Sequence, residues 1–259
     1  MVVLVSLDAY LSPLRYPGGK SKMVKTLASY IRQGRRTLIE ACAGGASLGL
    51  SLLHAGLIDE LWLNDLDLNV YTFWQVLTSE DGYVLLDKLK ENPKPSVNDF
   101  LDAKLVLQAP YKKPRQSRIE RAWAFLLVNR LAYRGNIHCG PMGGYDGSQE
   151  EMLSRWDPAL LEKRLRFVYE NRDRITVTKY HVCDLLWRIP RRTANSITVY
   201  LDPPRVSDDS PYEASMTLAD HTELLNQVMD YQGKADFLVT VEEDEVGRMW
   251  AAYTGKESI

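Results

Sequence analysis

Asp202-Pro203-Pro204-Arg205 directly follows Ile197-Thr198-Val199-Tyr200-Leu201. The second run is apolar and β-branched and reads as a buried strand. A carboxylate just beyond the carboxyl end of such a strand stands where open α/β sheets bind their ligands. Pro203 and Pro204 fix φ and lack N–H groups, so the carbonyls around them are rigid acceptors with no competing donors. An acid beside rigid carbonyls is suited to holding an amino group by its N–H bonds.

A second group of residues lies nearer the start. Thr37–Glu40 reads as a short strand and is followed by Ala43-Gly44-Gly45-Ala46-Ser47 and a helical stretch over 46–55. Glycines at a strand-to-helix turn let a ligand approach the backbone at the helix N-terminus. Glu60–Asn64 reads as the next strand, and Asp65 ends it about 20 residues after the turn, the spacing at which an acid holds a ribose hydroxyl. A glycine turn with a helix-capping aspartate is the plainer reading, and these two features alone leave both open. Tyr16-Pro17-Gly18-Gly19-Lys20 precedes them. It lacks the spacing of a Walker phosphate loop, and a Pro-Gly turn before a basic helix start is its local reading.

The elements that must position these residues alternate. A helix is expected over 69–77, strands at 175–177 and 197–201, a helix over 218–231, a strand at 237–241 and a helix over 245–253. Strands separated by helices imply βαβ units and a mostly parallel sheet. From 79 to 172 the patterns are helical, broken by Pro93-Lys94-Pro95, Ala109-Pro110 and Gly140-Pro141-Met142-Gly143-Gly144. The expected organisation is a Rossmann-like α/β domain from 1–78 and 173–259, with an inserted helical subdomain over 79–172.

Composition sets the outer limits. The 259 residues are 45% hydrophobic and 25% charged, ordinary values for a globular protein. No apolar run approaches the roughly 20 residues of a membrane span. The first residues lack a basic stretch and cleavage site, so no signal peptide is expected. Cys42, Cys139 and Cys183 form no C-x-x-C pair, so neither a metal site nor a disulfide frame is expected, and a reducing cytoplasm is the simple location. A net charge of −2 means that any nucleic-acid surface must be local.

Taken in order, Tyr16-Pro17-Gly18-Gly19-Lys20, Glu40-Ala41-Cys42-Ala43-Gly44-Gly45-Ala46-Ser47, Asn64-Asp65-Leu66-Asp67, Asn129-Arg130, Asp184 and Asp202-Pro203-Pro204 resemble the Dam-type family of DNA adenine-N6 methyltransferases. The resemblance runs from about Leu14 to Val241. It implies S-adenosylmethionine as methyl donor, a Rossmann-like methyltransferase sheet, an inserted helical DNA-recognition domain and double-stranded DNA as partner. It implies Tyr16, Lys20 and Asp202 near the cofactor, Glu40 with Gly44 and Gly45 around its methionine part, Asp65 on the ribose and Asp184 near the adenine. Asp184 is open to a second reading as a cap of the helix that follows it. Asp202 and the Pro203 carbonyl would accept the two N–H bonds of a flipped adenine.

Two features depart from the family. Arg205 stands where D-P-P-Y has its tyrosine, the face on which the base stacks. A guanidinium can stack but is charged, longer and more flexible. The chain also stops at Ile259 where the family continues with further strands, so either the sheet edge stays open or a protein partner covers it. Two functions follow: an adenine-N6 methyltransferase, fully active or impaired at Arg205, or a non-catalytic DNA- or partner-binding protein on the same fold.

The candidate DNA surface is a basic run, Lys112, Lys113, Arg115, Arg118, Arg121, Arg130 and Arg134. A solvated helix face is its plainer reading. Asn129, Arg130, Tyr133, Arg134 and Asn136 add base-edge readers and an aromatic, and resemble the family's recognition segment. His54, His181 and His221 have no ligand spacing and are expected to be structural.

Overall fold

The computed structural model describes Leu7 and residues 11–16, 20–32, 34, 36–189, 196–204, 216–231, 235–241 and 245–254, with backbone only at 245 and 252–254. Arg205, Pro17, Gly18 and Gly19 lie outside the described residues.

Five parallel strands form one sheet: β1 (Thr37–Glu40), β2 (Glu60–Asn64), β3 (Ile175–Thr178), β4 (Ile197–Leu201) and β5 (Asp236–Val239). Their order is β3-β2-β1-β4-β5. The chain winds outward from β1 on one side and returns to start β4 on the other. The β1–β4 boundary is therefore the switch point, where such sheets open a crevice at their carboxyl ends. Glu40 ends β1 and Asp202 follows β4, so the two acids flank that crevice.

The apolar runs are read by both faces of the sheet. All five residues of β4 are buried, as a strand covered on both sides requires. Successive residues alternate between two cores. Leu38 and Tyr200 join Leu48, Leu61, Phe73 and Trp74 on one side. Ile39, Val199 and Leu201 join Leu185, Leu186, Leu224 and Leu225 on the other.

Lys20 opens a 3-10 turn (Lys20–Met23) that leads into α1 (Val24–Ser29), while α2 (Ser47–His54) and α3 (Leu68–Leu77) follow β1 and β2. Asp67 caps α3 by accepting the N–H groups of Asn69 and Val70 at 2.7 and 3.0 Å. Between α3 and β3 the named elements are helical: α4 (Gly82–Glu91), α5 (Val97–Gln108), α6 (Arg115–Leu131), α7 (Gln149–Leu153) and α8 (Pro158–Glu170), with 3-10 turns at Tyr133–Gly135 and Arg172–Arg174. Past β3 come α9 (Val182–Arg188), α10 (Leu218–Asp230) and α11 (Glu245–Thr254). The helical stretch shares its core with the sheet: Phe125 of α6 meets Phe73 of α3 at a ring distance of 6.1 Å, and both belong to one buried cluster.

Asn129, near the end of α6, is fully buried. Its Oδ1 accepts Arg15 N–H at 2.7 Å, and its Nδ2 donates to the carbonyls of Arg15 at 2.6 Å and Gly135 at 3.3 Å. Gly135 has φ +74°, and a Cβ there would lie 2.7 Å from the Arg15 carbonyl. This clamp holds the strip before Tyr16 against the helical layer. Asn129→Ala strands buried backbone groups and is expected to lower the unfolding free energy by about 2–3 kcal/mol. A urea midpoint equal to that of the intact chain would exclude the clamp.

Candidate active site

Glu40 is buried at the end of β1, and its Oε1 accepts the Gly49 N–H of α2 at 2.5 Å. A Cβ at Gly49 would stand 2.4 Å from Leu61 and 2.9 Å from Glu40 Oε1, so only glycine lets the acid reach the helix backbone. Burial first, and the nearby charge of Asp202 in addition, push the Glu40 carboxyl up to about 8; the Gly49 bond opposes them.

The turn after β1 is tied to β2. Gly44 has φ +47° and its N–H donates to Asp65 Oδ2 at 2.8 Å, while Trp74 Nε1 donates to the Gly44 carbonyl at 2.9 Å. Asp65 Oδ1 accepts the Asp67 N–H at 2.9 Å. Burial and then Asp67 raise the Asp65 carboxyl to about 7. Asn64 braces the same region, donating to the carbonyls of Ala41 and Tyr180 at 2.9 Å each. The Tyr16 ring lies over the turn: a Cβ at Gly44 would meet it at 2.7 Å, and one at Gly45 would meet Tyr16 Cβ at 3.3 Å.

Asp202 faces this turn across the switch point. Lys20 Nζ donates to both of its oxygens at 2.7 Å, and each side chain keeps about a quarter of its surface exposed (26% and 25%). Thr240, one residue past β5, donates to Asp202 Oδ1 at 2.6 Å, and its hydroxyl lies 3.0 Å from that of Tyr200. The Thr240 N–H bonds the Leu201 carbonyl at 2.9 Å, which fixes Thr240 beside the acid. His221 Nε2 is 3.1 Å from the Pro204 carbonyl and steadies the two prolines from α10.

The crevice therefore gathers three carboxyl groups (Glu40, Asp65 and Asp202), a lysine, a threonine, an aromatic ring and a glycine turn. Residues 16–249 match the D12 class N6 adenine-specific DNA methyltransferase family. The chain belongs to that family. A search of curated proteins gives no match. In this D12 methyltransferase the Dam-type resemblance and the Rossmann-like expectation both hold, and Glu40, Asp65, Asp202 and Thr240 stand at the carboxyl ends of β1, β2, β4 and β5. The family's reaction puts a methyl group on adenine N6 in DNA, so DNA is the substrate class and a methyl donor is required.

Of the other residues expected at sites, some are exposed and some are buried. Asp184 is exposed in the first turn of α9, three positions after the N-cap residue His181, so it is not the cap. Asn129 and Arg130 are not on the surface. Asn129 is consumed by the Arg15 clamp, and Arg130 is 7% exposed with Nη2 donating to the Arg155 carbonyl. Burial, then Arg164, Arg15 and Arg155, lower the Arg130 pKa to about 9. Arg121 of the basic run also turns inward, binding Asn69 Oδ1 and the carbonyls of Val106, Leu107 and Ala109. Arg121 faces inward because α6 packs between α3 and α5, and the carbonyls at the end of α5 need donors.

Arg115 is exposed but paired with Asp81, Nε to Oδ1 at 2.7 Å. Arg118 donates to Gln75 Oε1 at 3.3 Å. Tyr133 and Arg134 are exposed, with the guanidinium 5.3 Å from the ring centre, and Asn136 Oδ1 accepts the His138 N–H at 2.8 Å. Arg205 lies outside the described residues.

Sequence reasoning passed over Thr240 and took His221 as merely structural. Thr240 had a usable signal as the polar residue near the end of an expected apolar strand (237–241); in the structure that strand stops at Val239, which puts Thr240 at the same sheet end as Asp202 and Asp65. His221 had only its place on an amphipathic helix. Among the described residues no three His, Cys, Asp or Glu side chains converge as a metal site, and no helix is long and apolar enough to cross a membrane.

Proposed function

We propose that this chain transfers a methyl group from S-adenosylmethionine to N6 of an adenine turned out of duplex DNA, at the crevice between β1 and β4. The observation that carries the proposal is Asp202, held at the switch point by Lys20 and Thr240 and facing the Glu40–Gly44 turn.

The residues suit a cationic adenosyl cofactor. A neighbouring cation would favour the ionised form of Glu40, whose burial now favours the neutral acid. Gly44 and Gly45, with the Tyr16 ring against them, form a surface that a β-carbon would disrupt. Asp65 spends one lone pair of each oxygen on a backbone N–H and retains others for a ribose hydroxyl. When bound, S-adenosylmethionine supplies the electrophilic methyl group.

The protein's own task is orientation. The N6 lone pair is delocalised into the adenine ring, and accepting both N–H bonds localises it. Asp202 is the proposed acceptor for one and the Pro203 carbonyl for the other. Thr240 occupies Oδ1 and leaves Oδ2 with a single protein donor, Lys20, among the described contacts of that oxygen. The amino group is thus received at Oδ2. The carboxylate can also take the proton that N6 sheds once methylated.

The helical stretch over 79–172 is proposed as the DNA-recognition part, with Tyr133, Arg134 and Asn136 as the presented segment. A protein partner at the β5 edge has no observation of its own to support it. The non-catalytic reading rests on Arg205 alone.

The deciding experiment is incorporation of labelled methyl groups into unmethylated duplex DNA, with N6-methyladenine identified after digestion. Transfer by the intact chain is expected. Aromatic stacking is worth roughly 1–3 kcal/mol per base, so Arg205→Tyr is expected to raise turnover about 10-fold, with cofactor affinity unchanged. No transfer by either form would leave the non-catalytic reading in place.

A further inference from the structure

A groove opens where α3, the α5–α6 connection and the end of β3 meet. It is lined by Tyr71 and Gln75 of α3, Tyr111 and Lys113 of the connection, Arg118 of α6, and Lys179 just beyond β3. We infer that it is a second DNA contact of this protein, taking a backbone segment of the substrate duplex with phosphates on Lys113, Arg118 and Lys179 and an apolar sugar or base face on Tyr71 and Tyr111. The inference rests on the DNA-methylating function proposed above and extends it to a region outside the crevice.

The lining decides the ligand class. It combines three cations and two aromatic rings, and no carboxylate lines it among the described residues. Lys113 and Lys179 are exposed, and the two tyrosines are half-buried. S-adenosylmethionine carries no phosphate and its sulfonium is itself a cation, so three cations disfavour it. A polyanion with flat rings and sugars fits.

The polar groups are arranged in advance. Arg118 Nη1 donates to Gln75 Oε1 at 3.3 Å, and Gln75 Nε2 donates to the Tyr71 hydroxyl at 2.9 Å. Arg118 Nε is buried with no hydrogen-bond partner among the described residues. Lys179 also lies near Asp65 and Asp67, but those carboxylates are buried and already bonded to backbone N–H groups.

Position adds a length. Lys179 follows β3 and Asp202 follows β4, three strand spacings apart in the order β3-β2-β1-β4. At about 4.8 Å per spacing this is roughly 14 Å, or about four base pairs at 3.4 Å each. With the duplex laid along the carboxyl ends of the strands, the groove would meet it about four base pairs to one side of the target adenine.

The test measures binding of the full chain to a duplex with its target adenine centred, over a range of salt concentrations. Lys113→Gln and Lys179→Gln should each reduce the salt slope by about one, and the pair should weaken binding about 10-fold or more near physiological salt. Tyr111→Leu should weaken binding with the slope unchanged, and Tyr111→Phe should restore it. Trimming one arm of the duplex to three base pairs should erase the difference between the intact chain and the lysine pair. Affinity for S-adenosylmethionine should stay within about twofold in the lysine pair.

If the intact chain binds DNA and the lysine pair binds it equally well, the groove assignment falls and the proposed function stands. Weaker cofactor binding with unchanged DNA binding would assign the groove to the cofactor and overturn the inference. No DNA binding by the intact chain would remove both.

Discussion

Asp202→Ala is expected to lower methyl transfer to adenine by about a thousandfold or more, because the acceptor that orients N6 and takes up its proton is gone. The loss should appear in single-turnover rate at saturating DNA and cofactor, not in the affinity for either. Thr240 supplies a graded control. Thr240→Val removes one charge-assisted hydrogen bond to Asp202 Oδ1, worth about 1.5 kcal/mol, and should cost about 10-fold; Thr240→Ser keeps the hydroxyl and should cost little. An Asp202→Ala protein that retains most of its single-turnover rate would remove the acid from the chemistry.

Folding stability is expected to fall as pH rises from about 5 to 8. Glu40 holds its proton up to about 8 in the folded chain, against an ordinary 4.5, and Asp65 up to about 7, against 3.8. Between those values the folded state binds more protons than the unfolded one, so stability drops with rising pH and levels off above about 8. Each unit of displacement is worth about 1.4 kcal/mol, which puts the total over this pH range on the order of 7 kcal/mol. Glu40→Gln keeps an oxygen for the Gly49 N–H and should flatten the dependence by about half. Urea unfolding at pH 5, 7 and 8.5 reads this directly. Equal slopes in the two proteins would mean that Glu40 is ionised in the fold. A cationic cofactor should also drive off this proton, so calorimetry at pH 7 should show proton release that the Gln variant lacks.

The sheet was legible because its signals are local. Ile197–Leu201 is a continuous β-branched run and Glu60–Asn64 is bounded by turns; both form strands with those limits. Asp202 and Asp65 were legible because each directly follows a strand, and Gly44 because it lies in the turn after one; a parallel sheet brings those ends together. Asn129 and Arg130 were misread for the opposite reason. A charged or amide residue on a helix suggests exposure, yet the neighbours of α6 are distant in sequence: Asn129 is taken by Arg15, 114 residues away. Thr240 was missed because its partner, Asp202, lies 38 residues back.

The central pair of strands also fixes an order of assembly. Thr37 on β1 pairs with Ile197 on β4, a loop of roughly 160 residues whose closure is entropically costly. During synthesis at about 5–20 residues per second, β1 waits many seconds for its partner. The helices with Tyr133 and Arg134 and the groove at Lys113 and Lys179 leave the ribosome before β4 does. A chain interrupted before residue 197 would carry the surfaces proposed to meet DNA but not Asp202, so on this reading the acid of the crevice is made after them.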